Sequence, residues 1–348
     1  MSELERIKKL LRSRTGNQLP SREGLSTGLT LLNMALTGHA GHGLERGCYY
    51  LVVGDSKAGK TFLVISSLAE ASINTSFQDY RLIYDGPERG ARMDLGILFP
   101  SLVDRLERPE PSATVEEFYY RLDECLEKGP VVYAFDSMDA VNPEEDLDKF
   151  GERKQAFFKG KVVSGSYGTA KAKLNSSHLR LVVNKLPKHD SILLLVAQSR
   201  DNLGFGGEKT RGGGRAMRFY ATAEMWFSVR GQVKKNALGK DRKIGSILRV
   251  KVEKNRHTGM ETAVDLYHYP SCGFDDVGSC CHYLLEEGHW QRKVASVAAP
   301  EFGCTGAMEK LIQKIEDENR EEELRQIVAG VWRRIEQSCE VRRKSRYG

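Results

Sequence analysis

The stretch Cys48-Tyr-Tyr-Leu-Val-Val-Gly-Asp-Ser-Lys-Ala-Gly-Lys-Thr61 decides how the rest of the chain is read. Its first part, Cys48 to Val53, is an apolar, β-prone run that reads as a buried strand. Gly54-Asp55-Ser56-Lys57-Ala58-Gly59-Lys60-Thr61 then satisfies G-x-x-x-x-G-K-[ST], and the run from Lys60 to Ala71 is helix-like. Strand, glycine loop and helix in that order make a phosphate cradle. Glycines let backbone N–H groups approach phosphate oxygens, and the helix N-terminus adds partial positive charge. Lys60 is placed to reach β and γ phosphates, Thr61 to ligand magnesium, and the loop from Gly54 through Phe62 to hold the nucleotide.

Outward from this loop, strand-like runs recur at residues 81–85, 131–136, 191–197, 223–229 and 246–253, with helical stretches at 115–128 and 170–186. The alternation predicts an α/β fold with a mostly parallel central sheet flanked by helices. Val131-Val-Tyr-Ala-Phe-Asp136 is an apolar strand ending in a carboxylate, the form of the second magnesium-binding element that accompanies such loops. Glu88, in Tyr84-Asp-Gly-Pro-Glu88, lies just beyond another strand, where a carboxylate could orient or deprotonate an attacking water. Residues 142–168, rich in charge and glycine, read as a mobile connection. Leu4, Ile7, Leu10 and Leu11 share one face of a short amphipathic helix, to be covered either by its own domain or by a neighbouring subunit. Beyond Pro300, helical spacing of Leu311, Ile315, Leu324, Val328 and Trp332 predicts two helices before a basic end.

The 348 residues suggest two folding units, or one large domain with an appendage. With 40% hydrophobic and 29% charged residues, neither global disorder nor a fibrous repeat fits. Apolar runs such as Ile192 to Ala197 are far short of the ~20 residues a membrane-spanning helix needs. The N-terminus lacks a secretory pattern, and seven scattered cysteines fit reduced thiols, so a cytosolic protein without a membrane partner is expected. Cys272, Cys280, Cys281 and Cys304 do not form paired C-x₂₋₄-C knuckles. The net charge of +6 is modest, so clustering matters more than the total. Residues 198–220 are rich in glycine and carry Arg200, Lys209, Arg211 and Arg215, which suits a loop that neutralises a nucleic-acid backbone. A second basic stretch over 230–256 has a hairpin-like pattern and ends in Lys254-Asn-Arg256, cations at a strand end that could reach a nucleotide on an adjacent subunit.

The order of these elements resembles the RecA family of recombinases, including its phage members of the UvsX kind. The resemblance covers roughly residues 25–290. Gly213-Gly-Arg-Ala-Met-Arg-Phe-Tyr-Ala221 is similar to the Gly-Gly-x-Ala-Leu-Lys-Phe-Tyr-Ala segment that closes the family's second DNA-binding loop. The resemblance implies a RecA-like ATPase core (25–290) preceded by a polymerisation helix and linker (1–24) and followed by a helical, basic extension (291–348). It implies that Glu88 is the catalytic carboxylate, acting with Lys60, and that Gln198 senses the γ-phosphate. Arg200 and Asn202 would lie in a first DNA loop (200–205), and Lys209, Arg211, Gly213, Gly214 and Arg215 in a second (206–215). Lys254 and Arg256 would reach ATP across a subunit interface that also holds Phe219. Mg²⁺ and ATP are the implied cofactors, with single- and double-stranded DNA and further copies of the chain as partners. The implied function is ATP-dependent pairing and strand exchange on a filament, in the bacterial cytosol or a phage-infected cell. Three departures from the family pattern are the short second loop, the insertion at 142–168 and the basic tail. Two other readings stay open, a ring-forming DNA helicase and a nucleotide-gated annealing mediator.

Overall fold

The computed structural model describes residues 24–160, 170–201, 209–212, 214–293, 296–341 and 343. The amphipathic helix expected over 2–14 and most of the basic end lie outside the described residues. A ten-stranded sheet organises the fold. Its strands are β1 (Tyr49–Gly54), β2 (Arg81–Asp85), β3 (Leu106–Glu107), β4 (Val131–Phe135), β5 (Ile192–Asp201), β6 (Lys209–Arg211), β7 (Ala223–Ala237), β8 (Lys240–Asn255), β9 (Thr262–Tyr269) and β10 (Gly273–Asp275). The order across the sheet is β10-β9-β8-β7-β1-β5-β4-β2-β3, with β6 paired to β5 alone. From β7 to β3 every neighbour is parallel, while β7 through β10 run antiparallel. The expected mostly parallel sheet is therefore present.

Helices cover both faces, which is why the central strands are continuously apolar rather than alternating. Around the sheet lie α1 (Thr30–Thr37), α2 (Lys60–Ile73), α3 (Val115–Glu127), α4 (Glu144–Phe158), α5 (Ala170–Lys185), α6 (Arg215–Tyr220), α7 (Asp276–Glu286), α8 (Met308–Asp317) and α9 (Glu321–Cys339). Along β1, Tyr50 and Val52 enter a core shared with Leu63, Val64 and Leu68 of α2, whereas Tyr49, Leu51 and Val53 enter a second core with Phe118 and Leu122 of α3 and Leu179 of α5. That two-residue period is the pleat of a strand buried on both sides. Helix α3 starts where it does because Thr114 accepts the Glu117 N–H (3.0 Å) while the Glu117 carboxylate accepts the Ala113 N–H (2.7 Å).

Two sequence expectations need correction. Residues 144–158, read as part of a mobile connection, form α4, and none of its residues is buried. Its charge density is that of a solvated helix: Glu144, Glu145 and Asp146 sit in the first turn, where the helix dipole favours acids, and Lys149 pairs with Glu145 one turn away. The C-terminal extension carries the two expected helices, α8 and α9, but a three-stranded antiparallel sheet (Gln291–Lys293, Ser296–Ala299, Cys304–Gly306) precedes them. Trp290, Phe302, Leu311, Leu324 and Val328 of this region belong to the same apolar core as β1 and α2. Among the described residues no helix is long and apolar enough to cross a membrane.

Leu195 of β5 is fully buried in the core beneath α3 and α5. Leu195→Ala should lower the unfolding free energy by ~2–5 kcal/mol through lost burial and a residual cavity, measured by urea denaturation. A change below ~1 kcal/mol would mean that this core collapses around the deletion.

Candidate active site

Parallel strands place their C-terminal ends along one edge, and side chains just past those ends converge there. Register aligns Gly54 of β1 with Gln198 of β5, and Asp85 of β2 with Phe135 of β4, so the loops leaving β1, β2, β4 and β5 meet in one place. Gly54 is required at this point because a Cβ there would lie 2.3 Å from the Phe227 carbonyl oxygen of β7. Gly59, with φ of +86°, opens α2 from a left-handed conformation that side chains disfavour.

Lys60 is nearly buried, and its ammonium donates to the carbonyl oxygens of Gly54 (2.7 Å) and Asp55 (2.6 Å), folding back over the loop. Burial lowers its pKa, opposed by the nearby carboxylates of Asp136, Glu88, Asp55 and Asp139. Thr61 donates to Asp136 Oδ2 (2.6 Å), and the Tyr84 hydroxyl donates to the same oxygen (3.1 Å). The other oxygen, Asp136 Oδ1, is buried with no hydrogen-bond partner among the described residues. Burial pushes the Asp136 pKa up, with the Thr61 hydrogen bond opposing it and the Glu88 charge adding to it. A hydroxyl beside a buried carboxylate with an unmatched oxygen is a hard, oxygen-donor set of the kind magnesium takes. The Phe62 ring packs among Phe99, His268 and Phe274.

Glu88 lies beside this group. Its Oε1 accepts the Ser137 hydroxyl (2.8 Å) and the side-chain amide of Gln198. Gln198 is held from behind by its backbone N–H, which donates to Asp139 Oδ2 (2.7 Å), and the other oxygen of Asp139 pairs with Arg200 (3.0 Å). Ser199 donates to the Asp55 carboxylate in the phosphate loop. Thus the proposed catalytic residues Lys60, Glu88 and Gln198 are brought together with Asp136. Tyr84, Ser137 and Asp139 join them, although no motif marks those three; only the strand-end position of Tyr84-Asp85 and Asp136-Ser137 pointed this way.

The basic segment also takes a definite form. Ser199, Arg200 and Asp201 pair antiparallel with Arg211, Thr210 and Lys209, so residues assigned to two successive loops are the two arms of one hairpin. That pairing is a contact that residue order did not disclose. Arg200 is exposed at its base. Asn202 and Gly213, with the side chains of Lys209 and Arg211, lie outside what is described. Gly214, at φ +87°, has its backbone against Ala172 of α5, and Arg215 is exposed at the start of α6.

Lys254 and Arg256 are elsewhere. They sit where β8 ends beside the start of β7, at the edge opposite the phosphate loop. Lys254 donates to the carbonyls of Arg218 (2.5 Å) and Phe219 (2.8 Å), and Arg256 to that of Phe219 (2.6 Å). The two cations cap the C-terminal end of α6 and present Phe219 with its side chain exposed. Within one chain they do not join the Lys60 group.

A family model for the RecA N-terminal domain matches residues 131–268, a span that includes Asp136 and Gln198 but begins after the phosphate loop. The chain is 31% identical over 241 residues to "Protein RecA" of Chlorobaculum tepidum, covering 67% of this chain and 61% of that one. It is 28% identical over 253 residues to "Protein RecA" of Parvibaculum lavamentivorans (71% and 62%), and 25% identical over 282 residues to that of Mycoplasmopsis pulmonis (80% and 76%). The match thus spans about three-fifths of the first two of these relatives.

Because burial raises the Asp136 pKa, the folded chain keeps this proton at pH values where the unfolded chain has released it. Asp136 therefore subtracts from stability as pH rises through the ordinary carboxylate range toward its raised value. Without divalent cation, Asp136→Asn should flatten that fall between acidic and neutral pH, read from urea midpoints. Equal slopes in the two proteins would contradict it.

Proposed function

Because the chain belongs to the RecA family, we propose that it is an ATP-dependent DNA recombinase that assembles on single-stranded DNA and pairs it with a homologous duplex. The observation that carries this reading is the direct hydrogen bond from the Gln198 side chain to Glu88, because the same strand continues into the basic β5–β6 hairpin. One side chain therefore spans the group beside the phosphate loop and the element best suited to DNA.

In this reading the loop from Gly54 to Thr61 cradles the triphosphate with backbone N–H groups, and Lys60 leaves its carbonyl partners to neutralise phosphate charge. Thr61 and Asp136 would hold Mg²⁺, whose charge offsets that of the β and γ phosphates. Glu88 accepts a hydrogen bond from the attacking water and orients it. Gln198 exchanges its bond to Glu88 for one to the terminal phosphate, and the hairpin follows. Arg200 and Arg215 meet the DNA backbone without reading its sequence. Lys254 and Arg256 act on the nucleotide of a neighbouring copy, since their own chain holds its phosphate loop at the far edge of the sheet. Phe219 lies at the same junction.

ATP turnover with and without single-stranded DNA tests the chemistry. Lys60→Ala should abolish it, and Glu88→Gln should lower it ~10²–10⁴-fold while nucleotide still binds; DNA-stimulated turnover retained in both would exclude this site. Electron microscopy with DNA and a slowly hydrolysed ATP analogue tests the assembly. Helical filaments are expected, closed rings would favour a helicase, and dispersed chains an annealing mediator. Arg256→Ala should retain nucleotide binding by the isolated chain yet lose filaments and at least ~10-fold of turnover, as removal of a charge supplied from a neighbour does.

A further inference from the structure

At the sheet edge opposite the phosphate loop, three side chains of different chemistry converge: Glu45, Cys48 and His257. The carboxylate oxygen, the thiol sulfur and the imidazole nitrogen that they offer all lie within 4.8 Å of one another, and all three residues are half-buried. None belongs to the Lys60 group. Residues 45–48 lead into β1, and His257 follows β8, so the cluster is formed by the fold rather than by a local spacing.

The hydrogen bonds around His257 give its ring an orientation. Its Nε2 is 3.0 Å from the hydroxyl of Tyr50, a fully buried side chain, and that hydroxyl oxygen also accepts the Glu45 N–H at 2.7 Å. Nδ1 faces the Glu45 carboxylate at 3.4 Å. With its proton on Nε2 the ring donates to Tyr50 and turns the Nδ1 lone pair toward the Glu45 carboxylate and the Cys48 thiol, whereas with its proton on Nδ1 it accepts from Tyr50 and donates to Glu45. A cation bound among the three side chains selects the first tautomer, because it takes the Nδ1 lone pair and the Cys48 thiolate. The outer hydrogen bond to the far ring nitrogen is the usual means by which a ligating imidazole is held in the right tautomer.

We infer that Glu45, Cys48 and His257 form a binding site for Zn²⁺. Thiolate, imidazole and carboxylate together match zinc and disfavour magnesium, which takes oxygen donors. Three protein ligands leave the fourth position of a tetrahedral ion to water. Binding releases the Cys48 thiol proton to solvent and leaves His257 neutral. An ion here ties the approach to β1 to the turn after β8. Because His257 directly follows Arg256, it fixes the segment that carries Lys254 and Arg256.

The test uses the metal-stripped full chain, kept reduced without added thiols and titrated with Co²⁺ as a spectroscopic stand-in for Zn²⁺. One equivalent should produce a thiolate-to-cobalt charge-transfer band with intense tetrahedral d–d absorption, and Zn²⁺ should displace it. The oxygen-only set of Thr61 and Asp136 cannot produce that band. Cys48→Ser should abolish it, His257→Gln should weaken binding at least ~10-fold, and Cys272→Ser, which changes an exposed thiol outside the cluster, should leave it unchanged. Absence of the band at stoichiometric cobalt, its survival in Cys48→Ser, or its loss in Cys272→Ser would overturn the site. Should Cys48→Ser fail to fold by circular dichroism, His257→Gln decides: unchanged affinity there overturns the site equally.

Discussion

Asp136 is the constraint on which the rest of the site depends. Two hydroxyls, from Thr61 and Tyr84, converge on one of its oxygens, while the other is buried without a partner among the described residues. An unsatisfied buried acceptor costs ~1–3 kcal/mol, more when charged, and a protein selected for stability alone would fill or remove it. The neighbours are arranged so that none of the described residues does. Tyr84 and Asp136 end adjacent parallel strands, Thr61 starts the helix packed beneath them, and the loop between Gly54 and Thr61 is held off by Lys60 bonding to its own backbone. Under the proposed function a cation would satisfy the open oxygen, which burial otherwise leaves destabilised as a carboxylate.

Strand direction then divides the molecule into two chemically distinct edges. Parallel strands β1, β2, β4 and β5 all deliver their C-terminal ends to the phosphate-loop edge. Strand β8 runs the other way, so the residues that follow it return to the opposite edge, where Asn255 pairs with Ala223 at the start of β7. Lys254 and Arg256 are in this way kept from the phosphate loop of their own chain by topology, not by a flexible distance that a loop motion could close. An arrangement that uses both edges in one site is necessarily heterologous, the head of one copy on the tail of the next. Exposed Phe219, braced from below by both cations, offers such a junction an apolar anchor.

What could be read from residue order follows from how local each feature is. The phosphate loop is a contiguous motif on a strand and a helix, and Asp136 and Glu88 stand just past apolar strands, so their positions followed from type and spacing. Tyr84 and Asp139 act through register: Tyr84 reaches Asp136 because β2 pairs with β4, and Asp139 reaches the Gln198 backbone across from β5. No spacing records such a contact. The same holds for the β5–β6 hairpin, divided by sequence into two loops, and for His257, which meets Tyr50 across 207 positions. Helix α4 was obscured for a different reason. With no buried face it lacks the apolar period by which helices are recognised, and its charges read as a loop.

Around Glu88 the hydrogen bonds compete for one atom. Its Oε1 carries both the Ser137 hydroxyl and the Gln198 amide, so the oxygen that would orient a water is occupied. Asp139 likewise holds the Gln198 backbone with one oxygen and the exposed Arg200 with the other, and Ser199 is bonded back to Asp55 in the phosphate loop. Three consecutive residues at the base of the hairpin are therefore each tied to a different acid at the strand-end edge. Under the proposed function, a terminal phosphate that attracts the Gln198 amide frees Glu88 in the same motion. DNA that attracts Arg200 loosens Asp139, the group that holds Gln198 in place. Each ligand thus removes a contact that opposes the other, and reciprocal coupling of the two sites follows from acceptors shared along one strand.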